Sequence, residues 1–109
     1  MNTSSSEALK IREAWNKAIK NIKKDYDRYG YKQWSLKPIY PVKIELWNEI
    51  LGIAYVFVEK RDQPYVLCKL DSSFDKQINH LRRSLSNPVM ANIIWTDKYK
   101  FINVYVPPD

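Results

Sequence analysis

The stretch Ile53-Ala54-Tyr55-Val56-Phe57-Val58-Glu59 is apolar on both faces of an extended chain. Side chains of a strand alternate between two faces, and neither face here carries the polar residues of a half-exposed strand. The stretch reads as a central strand. Lys60-Arg61-Asp62-Gln63-Pro64 follows as a polar turn, and Tyr65 to Leu70 returns as the hairpin partner. Pro64 lacks an N–H, but it precedes the strand proper and leaves the ladder intact.

Upstream, residues 42–50 alternate. Val42, Ile44, Leu46 and Ile50 share one face, with Asn48 the exception, and Lys43, Glu45, Trp47 and Glu49 share the other. This predicts a half-exposed strand at or near a sheet edge, with a short helix as the competing reading. Gly52 then breaks the run. Residues 31–41 read as a connector, because Pro38 and Pro41 disfavour a helix interior. Downstream, residues 91–96 and 100–106 predict two more strands around an Asp97-Lys98-Tyr99 turn.

Two helical patterns flank these strands. Over residues 6–28, Ala8, Ile11, Trp15, Ala18, Ile19, Ile22, Tyr26 and Tyr29 recur at spacings of mostly three and four, which forms one core-facing stripe. Ser4–Ser6 offer capping oxygens, Glu7 suits the positive end of the helix dipole, and Gly30 marks the stop. Over residues 72–86, Phe74, Ile78, Leu81 and Leu85 form a second stripe, closed by Asn87-Pro88. The predicted order is α-β-β-β-α-β-β. The expected fold class is α+β: a mostly antiparallel sheet of about five strands, with a long N-terminal helix and a shorter second helix packed on one face.

A chain of 109 residues reads as one domain, here 1–109 with residues 1–5 as a tail. No apolar run approaches the roughly 18 residues of a membrane span, so no membrane role is expected. The polar start at Met1 to Glu7 does not resemble a secretory signal. With a single cysteine, Cys68, no internal disulfide is possible, and a reducing, cytoplasmic setting is expected. One histidine and one cysteine do not make a zinc site of the usual kind, so no metal and no cofactor is expected.

Charge is unevenly spread. Residues 1–38 carry nine Lys/Arg against four acids, net +5, whereas residues 39–109 are only +1. Lys10, Lys17, Lys20, Lys24 and Arg28 fall opposite the apolar stripe of the first helix. Lys32 follows, with the rings of Tyr31 and Trp34, and Trp47 stands on the outer face of the 42–50 strand. Lysines neutralise phosphates and flat rings stack on unpaired bases, so these nine residues are the candidate binding set. The same types also suit protein interfaces, and a solvated helix face with ordinary pairs such as Glu13/Lys17 is the plain alternative.

Catalytic constellations fail on spacing. The order α-β-β-β-α-β is shared with restriction-nuclease-like cores, whose chemistry needs acids on adjacent strands and a lysine two residues after an acid. Here Leu67 stands where that acid belongs in Leu67-Cys68-Lys69, and Glu59 is followed directly by Lys60. A double-stranded-RNA module needs a basic start to its second helix, but this chain has Ser72-Ser73-Phe74-Asp75-Lys76. His80 lies off its helix stripe, and Cys68 shares a strand face with Val66 and Leu70. No catalytic residue is assigned. The expected function is a small basic binding module, not an enzyme, engaging nucleic acid through the first helix and neighbouring aromatics. The alternative is an interaction or inhibitor module for an acidic protein surface, docked there or through the 42–50 edge strand. A small nuclease stands third.

Overall fold

The computed structural model describes residues 5–29, 36–48, 50–68 and 73–107, with the side chains of the first helix described from residue 6 to residue 20. The chain runs α1 (Ser5–Tyr29), β1 (Lys37–Ile39), β2 (Pro41–Asn48), β3 (Ile53–Val58), β4 (Tyr65–Cys68), α2 (Ser73–Arg83), β5 (Val89–Trp95) and β6 (Lys100–Val104). This is the expected α+β class with the expected order, plus one strand.

The strand added is β1, within the segment read as a connector. Its three residues pair with β5, with Pro38 opposite Met90. Proline is tolerated here because β1 is an edge strand, and Pro41 is tolerated because it begins β2. The sheet therefore has six strands, not five, in the order β1-β5-β6-β4-β3-β2. Nor is it wholly antiparallel. After β4 the chain crosses through α2 to β5, and the β5–β6 hairpin then lays β6 beside β4, with Val66 opposite Phe101 in a parallel pair.

β1 and β2 lie at opposite margins of this order, yet Tyr40 alone separates them in the chain. The sheet must curl until its margins meet at that corner. Backbone bonds hold the corner. The Glu59 N–H donates to the Tyr40 carbonyl at 3.0 Å, and the Ser86 N–H donates to the Pro41 carbonyl at 2.8 Å.

The helices cover opposite faces, not one face as expected. One cluster joins Phe74, Ile78 and Leu81 of α2 to Ile39, Val56, Leu67, Val89 and Ile102, with Ile44 and Leu46 packed against it. All six strands contribute to this cluster, so α2 fills the inside of the curl. A second cluster joins Ala8, Ile11, Trp15 and Ala18 of α1 to Ile53, Val66, Cys68, Ile94 and Phe101 on the outer face. The doubly apolar β3 follows directly: Ala54, Val56 and Val58 face α2, whereas Ile53 and Tyr55 face α1. β3 is an interior strand, second from the margin.

Trp15 is 1 % exposed, with its ring 5.3 Å from that of Phe101. Ile22, Tyr26 and Tyr29, the rest of the predicted stripe, lie outside the described side chains. In α2 the stripe stops early: the helix ends at Arg83, and Leu85 is exposed in the turn beyond it.

Among the described residues β2 pairs with β3 alone, so it is an edge strand as expected. Its alternation is broken by irregularities between Pro41 and Lys43 and between Leu46 and Asn48. Val42 is consequently exposed, and Ile50 lies in the following turn, fully in water. That turn is fixed by Asn48 Oδ1, which accepts the Leu51 N–H at 2.9 Å, and by Gly52 at φ 68°. Bulges, the Ser86 bond and the Lys43–Glu45 ion pair all make this edge a poor template for an added strand. No helix among the described residues is long and apolar enough to cross a membrane.

Candidate functional site

α1 and the β5–β6 hairpin enclose a groove of about 680 Å³, open to solvent. One wall is Lys10, Glu13, Ala14, Lys17 and Ala18; the other runs from Ile94 to Tyr99. The groove exists because α1 presents alanine side chains where it passes the hairpin tip. Larger residues at Ala14 and Ala18 would fill it.

The lysines reach the groove by helix geometry. Lys10 and Lys17 are seven residues apart, close to two full turns, so they project from the same side about 10 Å apart along the axis. Both are exposed. Lys20 is also exposed but does not line the groove. Three further residues turn it roughly 60° away from Lys17.

The opposite wall is a rigid turn. The Thr96 N–H and Oγ1 both donate to the Tyr99 carbonyl, at 3.0 Å and 2.6 Å. Thr96 Oγ1 in turn accepts the Tyr99 N–H at 2.9 Å. These bonds present Lys98, whose ammonium lies 5.5 Å from the Tyr99 ring centre. The Tyr99 ring stands 5.7 Å from Phe101, which packs on Trp15, so rings run from the groove into the core.

Trp95 ends β5 beside this turn and is 63 % exposed. Lys100, its cross-strand partner, places its ammonium 4.4 Å from the indole centre. Ile94 and Phe101 face α1, so by alternation Trp95 and Lys100 stand on the other face of the hairpin, and the charged groove walls are Lys10, Lys17 and Lys98 against Glu13 and Asp97.

The predicted set divides accordingly. Lys10 and Lys17 meet in the groove, and Lys20 stands apart. Lys24 and Arg28 belong to α1, but their side chains lie outside the described ones. Tyr31, Lys32 and Trp34 lie outside the described residues. Trp47 is half-buried, stacks on Tyr55 at 4.9 Å and packs against the α1 cluster, not in the groove. Sequence reasoning missed Lys98 and Trp95. Their signal was position: Trp95 precedes the predicted Asp97-Lys98-Tyr99 turn and Lys98 is its middle residue, where a hairpin tip outruns the core.

Other chemistry is muted. Burial pushes the Cys68 thiol up to about 12, against the opposing charge and hydrogen bond of Arg12. Burial, then Glu7, raises Tyr55. Among the described residues no three His, Cys, Asp or Glu side chains gather as metal ligands. No family model matches the chain, and no curated protein or solved structure matches it significantly. The function is argued from the groove.

Proposed function

We propose that this protein is a small non-enzymatic module that binds nucleic acid in the groove between α1 and the β5–β6 hairpin. One observation carries the reading: Lys10 and Lys17 from the helix and Lys98 from the hairpin converge on a single open groove. Phosphate oxygens are the anions such a row suits. Their neutralisation releases counterions, which makes affinity fall steeply with salt. The net charge of +6 adds long-range attraction to a polyanion. The working setting in this reading is the cytoplasm, where a lone buried thiol stays reduced.

Fluorescence anisotropy with labelled oligonucleotides across a salt series tests the proposal. Binding at low salt with a steep negative salt slope supports it, and Lys17→Glu with Lys98→Glu flattens that slope by about two phosphate contacts. Absence of binding to any oligonucleotide at low salt overturns it and transfers the groove to an acidic protein partner.

A further inference from the structure

We infer that the face of the β5–β6 hairpin turned away from α1 carries a second site, a row of Arg61, Tyr65, Lys100 and Trp95 that takes a nucleotide. It is separate from the groove and does not rest on the reading given for it. Val66 of β4 lies opposite Phe101 of β6 in the parallel pair, so Tyr65 and Lys100, one residue earlier in each strand, stand side by side. Lys100 is in turn opposite Trp95 of β5. Val66 and Phe101 belong to the α1 cluster, so by alternation Tyr65, Lys100 and Trp95 share the inner face of the sheet. Trp95 and Tyr65 are thus two strand spacings apart, roughly 10 Å, with Lys100 between them. Cover by α2 runs out along β5. Val89 and Ala91 are buried in its cluster, Ile93 is partly buried against it, and Trp95 is 63 % exposed.

Each ring of the row holds one cation. The Lys100 ammonium lies 4.4 Å from the Trp95 ring centre, and the Arg61 guanidinium carbon lies 4.6 Å from that of Tyr65. Among the described residues neither cation has an ion pair, and the acids of the flanking turns, Glu59, Asp62 and Asp97, are exposed. Arg61 Nε is buried and has no hydrogen-bond partner there. A buried N–H of a charged group left unpaired is costly, and an anionic oxygen beside it would remove that cost. The planar guanidinium suits phosphate oxygens, with Lys100 as a second positive charge next to them. The exposed indole offers a flat face on which a base can stack. An anion without a ring would leave the indole in water, and a ring without an anion would leave Arg61 Nε unpaired. A nucleotide satisfies both ends of the row.

The indole N–H signal of Trp95, identified in NMR spectra by its loss in Trp95→Phe, reads the site directly. Adenosine 5′-monophosphate should shift it saturably, and adenosine or inorganic phosphate should each bind at least tenfold more weakly. Arg61→Gln and Lys100→Gln should each weaken the monophosphate by roughly tenfold or more, while the other indole signals stay in place and show the fold intact. Tetra-adenylate separates the two sources of a nucleotide. A Kd on this signal at least tenfold below that of the monophosphate assigns a nucleotide within a strand, and an equal Kd assigns the free nucleotide. No shift with either probe, adenosine binding as tightly as its monophosphate, or cation variants that keep wild-type affinity would each overturn the inference. None of these results bears on the groove, whose own test is the salt series with Lys17→Glu and Lys98→Glu.

Discussion

Gln77 of α2 accepts the backbone N–H of Val104 on β6 at 2.8 Å, and its amide donates to Asn103 Oδ1 at 3.1 Å. Gln77 is a buried polar residue among apolar neighbours, and it sets the height of α2 inside the curl. Gln77→Leu fills the same space and satisfies neither partner. It should destabilise the protein by about 1–3 kcal/mol, the cost of a buried N–H left unpaired. Urea unfolding would measure it; an unchanged midpoint would show that α2 is held by its apolar stripe alone.

Trp15 anchors the other helix. Trp15→Ala removes a ring that packs on Phe101 and should cost about 3–5 kcal/mol. Trp15→Phe should cost much less. Thermal denaturation of the two variants side by side gives the order, and equal losses would contradict the packing.

Lys10 and Lys17 line the groove, whereas Lys20 does not. Lys10→Glu with Lys17→Glu should abolish oligonucleotide binding, and Lys20→Glu alone should weaken it only slightly. All three are exposed, so each change should alter stability by less than about 0.5 kcal/mol. Equal binding losses for the double variant and for Lys20→Glu would move the interface off the groove.

Cys68 gives a pH dependence with a definite sign. Its thiol rises from an ordinary 9.0 to about 12 on folding. Between these values the unfolded chain gives up the proton and the folded chain keeps it, so the folded state binds more protons. The contribution is fully present below about pH 8.5 and is lost as pH rises toward 12. Cys68→Ala should flatten this alkaline decline in urea midpoints. The native thiol should also resist modification at pH 8 and react once urea unfolds the chain.

Much of the fold could be read before the structure. The stripe Ala8, Ile11, Trp15 and Ala18 named the buried side of α1, and the doubly apolar run at 53–58 marked an interior strand. The same run also implied cover on both faces, a consequence that hairpin order alone obscured. β1 was hidden because Pro38 reads as a breaker, and only its edge position makes proline harmless there. In the site, Lys10 and Lys17 followed from helical angle. Trp95 did not, because an apolar residue at a strand's end is buried or exposed according to how far the opposing helix reaches.

The corner at Tyr40 ties the two margins of the sheet to one another. A one-residue slip of β1 along β5 would turn its side chains to the wrong face and would have to be taken up at the Pro41–Lys43 irregularity before β2 could keep its own register. The pairings at the two margins are therefore coupled through a short corner with little slack. For the same reason an exchange of the β1–β2 segment between two copies of the chain would have to release both margins together.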